Sequence, residues 1–162
     1  MSDEPTGLPF RIGVISDTHG GVPDAVLDVF AGVDAIVHAG DCGPGYEAEV
    51  LEAIAPVTAV CGNCDLPGAL PCPHVANVVL GGVRVVVAHR ERDLAGSLDP
   101  ATAGARVAIT GHSHVAAIGE RDGVMWVNPG SPAFPRNAQP PSVAIISVAA
   151  DGEVSAKVVP LS

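Results

Sequence analysis

Basic side chains are scarce in this chain: eight Lys and Arg face 18 Asp and Glu, giving a formal net charge of −10. Affinity for a nucleic-acid backbone comes from neutralising phosphates with Lys and Arg, so long nucleic acids are excluded as expected partners. Aromatic residues are also few, at 3%, too few for a surface on which successive bases stack. No apolar run reaches the roughly 18 residues that a membrane-spanning helix requires, so no membrane partner is expected. The first nine residues are acidic and lack the basic and apolar stretches of a secretory signal, which makes the cytoplasm the expected location. Cysteines number four, Cys42, Cys61, Cys64 and Cys72. A disulfide framework is not expected in a reducing compartment. The C-x-x-C spacing of Cys61 and Cys64 lacks the second pair of a closed thiolate knot, so the cysteines are expected to be reduced and near the site.

Apolar residues are plentiful, at 48% against 16% charged, which fits a folded domain and not a disordered chain. At 162 residues one domain is expected over 10–162, behind a loose, Pro- and Gly-punctuated tail at 1–9. The first half alternates strands (11–16, 34–38, 56–61) with helices (23–31, 46–54), an order that favours a parallel sheet with right-handed crossovers. The second half reads as hairpins. Strands 75–80 and 83–88 flank Gly81-Gly82, 115–120 and 124–127 flank Asp122-Gly123, and 142–148 and 154–159 flank Asp151-Gly152. A short helical stretch at 99–105 and a strand at 106–110 separate the first hairpin from the second, and 128–141, with five prolines, is a loop. No repeat or linker divides the chain. The pattern predicts an α/β fold, an αββα sandwich of two mixed β-sheets flanked by helices.

Ligand-capable side chains recur at the ends of the apolar runs: Asp17-Thr18-His19, Gly40-Asp41, Gly62-Asn63, His89, and Gly111-His112-Ser113-His114. Each group alone has an ordinary reading as a cap, an Asx turn or a structural histidine. Together, five strand ends delivering seven nitrogen and oxygen donors point to a dinuclear site, because ligands gather at the carboxyl ends of strands in open α/β sheets. A mixed N/O set suits a catalytic centre for borderline divalent ions. Asp17 and His19, two apart on backbone expected to be extended, would project to the same side. His38 ends a strand beside Asp41 and is placed to orient a ligand from behind. His74 reads as a core or surface residue.

These blocks, with Asn128-Pro129-Gly130-Ser131 and Pro135-Arg136, resemble the calcineurin-like metallophosphoesterase family, in its small bacterial and archaeal phosphodiesterase branch, from Ile12 to about Val148. The resemblance implies a phosphoesterase that hydrolyses small phosphodiesters through a metal-bridging hydroxide. Asp17, His19 and His114 would hold one cation and Asn63, His89 and His112 the other, with Asp41 bridging. Asp41, Asn63 and His112 would be the catalytic residues. The expected cofactors are two divalent ions, manganese first, with iron, zinc or nickel as alternatives. A small phosphorylated substrate is the expected partner, and a homo-oligomer is left open. The branch shares its fold with a metal-poor retromer subunit, so the alternative function is a scaffold or protein-binding module without turnover.

Two blocks depart from the family pattern. The third reads Gly62-Asn63-Cys64-Asp65, with Cys64 where the larger family carries the histidine that protonates the leaving group. Cys64 and Asp65 are therefore expected beside the metals, with a preference for esters of good leaving groups. The fourth reads His89-Arg90-Glu91 in place of His-Gly-His. Arg90 and Arg136 are candidates for phosphate contact, since a guanidinium fork matches phosphate oxygens; Arg90 could instead pair with Glu91.

Overall fold

The computed structural model describes residues 9–20, 22–41, 47–62, 73–97, 100 and 104–161. Its elements run β1 (Phe10–Ile15), α1 (Asp24–Val29), β2 (Ala35–His38), α2 (Glu47–Glu52), β3 (Val57–Ala59), β4 (Val75–Leu80), β5 (Val83–Ala88), α3 (Glu91–Ser97), β6 (Val107–Ile109), β7 (Ala117–Arg121), β8 (Val124–Asn128), β9 (Ser142–Val148) and β10 (Val154–Pro160). One five-stranded sheet has the order β10-β9-β1-β2-β3 and the other β4-β5-β6-β8-β7. Both are mixed: β1, β2 and β3 run parallel, as do β5, β6 and β8, while hairpin partners close the edges. The expected αββα sandwich is what the chain forms.

The period-2 alternation of a strand explains why the apolar runs are nearly unbroken. Ile12 and Val14 face the interior between the sheets with Val37, Val85, Val87, Ile109 and Ile146. Their neighbours Ile15, Ile36, Val143 and Ile145 face outward and are covered by Val26, Phe30 and Leu51 from the α1 and α2 regions. Across the molecule, Val86, Ala88 and Ala108 face outward against Leu94 of α3. Strands buried on both faces need apolar residues at every position.

Two expectations need correction, and a third lies almost wholly outside the described residues. The helix of the second half is α3, earlier than the stretch expected at 99–105, where the described residues Pro100, Gly104 and Ala105 are not helical. In α3 only Leu94 is known to be buried, so it shows no helical apolar period; Glu91 and Asp93 in its first turn suit the helix dipole instead. Strand 115–120 is shifted to Ala117–Arg121, and all five residues of this edge strand are exposed. Of the tail at 1–9 only Pro9 lies within the described residues, and it is exposed.

Gly13 in the middle of β1 is set by packing. A Cβ there would lie 2.9 Å from two ring carbons of the fully buried Phe30. Gly13→Ala is expected to destabilise the fold by about 1–3 kcal/mol through overpacking, measured by denaturant unfolding. The loss should shrink in a Phe30→Leu background, because the two positions share one contact.

Candidate metal centre

Four parallel strands end at one place. Asp17 and His19 follow β1, Asp41 follows β2, His89 follows β5, and His112 and His114 follow β6. Two loops of the first sheet are tied together where the Asp17 and His19 amides donate to the carbonyls of Gly40 and Asp41, each at 2.9 Å. In the second sheet the Gly111 amide donates to the His89 carbonyl at 2.9 Å. The backbone is not extended at these ligands, contrary to the sequence expectation. Asp17, His19, Asp41, His112 and His114 all have positive φ, between 48° and 74°. Such a concentration of left-handed non-glycine residues is costly and persists only where the surroundings enforce it.

Glycines that precede ligands let these loops touch. A Cβ on Gly111 would fall 2.0 Å from Ser16 Oγ and 2.8 Å from Asp17 Oδ2. One on Gly62 would fall 2.1 Å from Asp41 Oδ1, and one on Gly40, at φ +105°, 2.7 Å from His89 Nδ1. Each glycine of the Gly-Asp, Gly-Asn and Gly-His pairs thus packs against a ligand, or its hydrogen-bonding neighbour, from another loop.

The donors are sorted by their hydrogen bonds. The Ser16 hydroxyl and the His112 amide both donate to Asp17 Oδ2, at 2.6 and 2.9 Å. Asp17 Oδ1 and His89 Nε2 are buried, with no hydrogen-bond partner among the described residues. His89 Nδ1–H donates to the Ala39 carbonyl at 2.7 Å, which leaves a lone pair on Nε2 of the neutral ring. That lone pair faces Asp41 Oδ2 at 3.2 Å and Asp17 Oδ1 at 3.7 Å. His114 repeats the pattern: Nδ1–H donates to the Phe134 carbonyl at 2.6 Å while Nε2 lies 3.3 Å from Asp17 Oδ1 and 3.4 Å from His19 Nε2.

Lone pairs aimed at carboxylates repel unless positive charge lies between them. Ligands about 2.0–2.2 Å from one cation and 90–110° apart lie roughly 3–3.6 Å from each other, which matches three of these spacings and approaches the fourth. Among the described residues two groups bring one donor atom from each member within 4.8 Å of one another, Asp17 with His19 and His114, and Asp17 with Asp41 and His89. Asp41 Oδ2 also lies 3.8 Å from His19 Nε2, within reach of both groups. The donor set therefore fits divalent metal ions. Without them a proton is the substitute. Burial opposes charge on His89, but Asp41, the Ala39 carbonyl and Asp17 outweigh it and raise its pKa. The His112 ring lies 5.2 Å from that of His89, and burial and the charge of His89 lower its pKa, keeping it neutral as a ligand must be.

The six predicted ligands within the described residues, Asp17, His19, Asp41, His89, His112 and His114, converge. Asn63, Cys64 and Asp65 lie outside the described residues. Buried His38 accepts from the Gly40 amide through Nδ1, so its Nε2–H faces Thr18 Oγ1 at 3.1 Å. It supports both carboxylate loops. Arg90 pairs with Asp93 at 3.3 Å, not with Glu91, which pairs with Arg121; its charge is still felt at His112. Arg136 lines a pocket of about 380 Å³ with His19, His114, Phe134 and Pro135. A larger groove, about 480 Å³ between α3, β7 and β8, is lined by none of the ligands. His74 is exposed. Cys61 is disulfide-bonded, against the expectation of reduced thiols, and its partner lies outside the described residues. The Cys61 amide donates to the Pro73 carbonyl at 2.8 Å, so the chain returns on itself there.

Sequence reading gave no role to Ser16, Asn128 or Ser131. Asn128 Nδ2 donates to the Gly111 carbonyl and to Ser113 Oγ, and the Ser131 hydroxyl donates to the Asp17 carbonyl at 2.8 Å. The available signal was a polar residue closing an apolar strand, as Ser16 and Asn128 do.

Residues 10–151 match the family described as the calcineurin-like phosphoesterase superfamily domain. A relative named a probable metallophosphoesterase, from Methanothermobacter thermautotrophicus, is 37% identical over 152 residues, covering 88% of this chain and 87% of its own. Among solved structures, an archaeal phosphodiesterase superposes with TM-score 0.74 at 21% identity, over 93% of this chain and all of its own. Vacuolar Protein Sorting 29 from Cryptosporidium parvum superposes with TM-score 0.75 at 20% identity, over 96% and 99%. These last two likenesses concern the fold.

Gly111→Ala should abolish tight metal binding while the strands survive, read by Mn²⁺ calorimetry beside circular dichroism. The pH dependence has a fixed sign. A histidine whose folded pKa is raised stabilises fully below its unfolded value, about 6.5, and loses that contribution as pH rises through the folded value. Metal-free protein should therefore lose thermal stability on going from pH 6 upward through that range. His89→Gln should remove the step; an identical step in that variant would assign it to another group.

Proposed function

The chain belongs to the calcineurin-like phosphoesterase superfamily, and on that premise we propose that it hydrolyses small phosphodiesters with two divalent cations. One observation supports this above the rest: Asp17 Oδ1 and His89 Nε2 are buried side by side without hydrogen-bond partners among the described residues. An inert fold would gain stability by satisfying or replacing them.

In this reading Asp17, His19 and His114 hold one cation, and His89, His112 and Asn63 the other. Asp41, near both His19 and His89, would be shared by the two. Bound divalent ions supply Lewis acidity and lower the pKa of a coordinated water toward neutrality. The protein fixes the donors: Ser16 and the His112 amide hold the Asp17 carboxylate, and the Ala39 and Phe134 carbonyls hold the tautomers of His89 and His114. Arg136, at the pocket rim, is placed to meet a phosphate oxygen. With the ions bound, their charge exceeds that of Asp17 and Asp41, so an anionic ester can enter despite the acidic chain. Manganese is the first candidate among metals suited to these donors. The likeness to Vacuolar Protein Sorting 29 favours, as a second reading, a scaffold without turnover.

A metal-by-substrate matrix decides between them, with manganese, iron, zinc and nickel against nitrophenyl mono- and diesters and a cyclic nucleotide. Diester turnover with manganese is expected, falling by more than about 100-fold in Asp41→Asn, beyond the 10–100-fold typical of residues that merely support ligands. No turnover with any metal would leave the scaffold.

A further inference from the structure

The loop after β8 clasps the metal cluster at both of its ends. The Ser131 hydroxyl donates to the Asp17 carbonyl and accepts from the Ala133 and Phe134 amides at 3.3 and 2.8 Å. The Phe134 carbonyl takes the His114 ring proton, and the Arg136 amide donates to the His114 carbonyl at 3.1 Å. The backbone on either side of the Phe134 ring is thus fixed by Ser131, itself tied to Asp17, and by the ligand His114.

The ring itself is not in the core. Phe30 is fully buried and Phe10 packs against the inter-sheet core, but Phe134 is 52% exposed. It stands edge-on to the His19 ring, with centroids 5.6 Å apart and planes at 82°. Phe134 and Pro135 form the apolar part of the 380 Å³ pocket, and Arg136 is its one cationic side chain besides the histidines among the described residues. The volume lies in the range that takes a small organic ligand. In a chain so poor in aromatics, one of its three phenylalanines sits half in water beside a metal ligand.

We propose that this pocket receives the organic group of the ester, and that Phe134 selects a flat aromatic ring there over a saturated one of equal size. The inference rests on the phosphodiesterase reading of the adjoining cluster. A rigid ring face held over the site prefers an aromatic partner in an offset-stacked or edge-to-face arrangement, and the Arg136 guanidinium adds attraction to a π face. A pocket that is merely apolar would rank the groups the other way, since cyclohexyl is more hydrophobic than phenyl. The Phe134 side chain is a specificity residue in this scheme and does not touch the reacting atoms.

Binding of inert phosphonates separates this preference from leaving-group chemistry. Calorimetry on the manganese-loaded chain would compare phenyl-, cyclohexyl- and methylphosphonate. Phenylphosphonate is expected to bind about 5–30-fold more tightly than cyclohexylphosphonate, the scale of one aromatic stack. Phe134→Leu should bring that ratio close to one, and Phe134→Trp should keep it. A wild-type ratio at or below one, or a ratio unchanged in Phe134→Leu, overturns the inference. Methylphosphonate distinguishes the levels: if it binds but no phenyl preference exists, the phosphodiesterase reading stands and only Phe134 selectivity fails. If no phosphonate binds, both fail together.

Discussion

The carboxylate of Asp17 is the point on which the site turns. One oxygen is saturated by a hydroxyl from its own strand end and by an amide from the far sheet, and the other is buried with no hydrogen-bond partner among the described residues. That division gives the cluster its chemistry: the first oxygen joins the two sheets, and the second demands a cation. Gly111 follows from it, because any side chain there would displace the serine or the carboxylate. So does the left-handed backbone at the ligands, since only a sharp turn at each strand end brings two loops this close.

Histidine tautomers carry the same logic outward. His89 and His114 each spend Nδ1–H on a backbone carbonyl, so Nε2 is fixed toward the cluster before any metal arrives. His38 is set the opposite way, accepting at Nδ1 and presenting Nε2–H to Thr18. The carbonyls and hydroxyls behind the ligands decide which nitrogen is available to coordinate.

Much of this was legible in the sequence because strand periodicity and ligand chemistry leave marks on residue type. The hairpin of β4 and β5 was readable to its last residue, since two runs of alternating and buried valines flank Gly81-Gly82, both at positive φ. The six converging ligands were legible because each ends an apolar run with an atom that can coordinate. Helix α3 was not, as the single known buried side chain Leu94 gives no period to detect. Nor was the left-handed turn at Asp17 and His19: nothing in a non-glycine residue announces positive φ when tertiary hydrogen bonds impose it. Ser131 and Phe134 were missed for a related reason, as their importance depends on which loop lies over which. The Cys61 disulfide was hidden because inference from compartment ignored the local return of the chain at Pro73.

The six described donors come in equal measure from the two sheets, with His19 and His114 95 positions apart. A cation gripped at this seam acts as a removable rivet between halves of the sandwich. Its contribution scales with concentration as RT ln(1 + [L]/Kd), about 2.7 kcal/mol at a hundredfold excess over Kd, a large share of the 5–15 kcal/mol that holds a typical domain together. Metal starvation would then do more than silence the site. It would loosen the sandwich at its catalytic end, so that the lifetime of the folded chain tracks the supply of the ion.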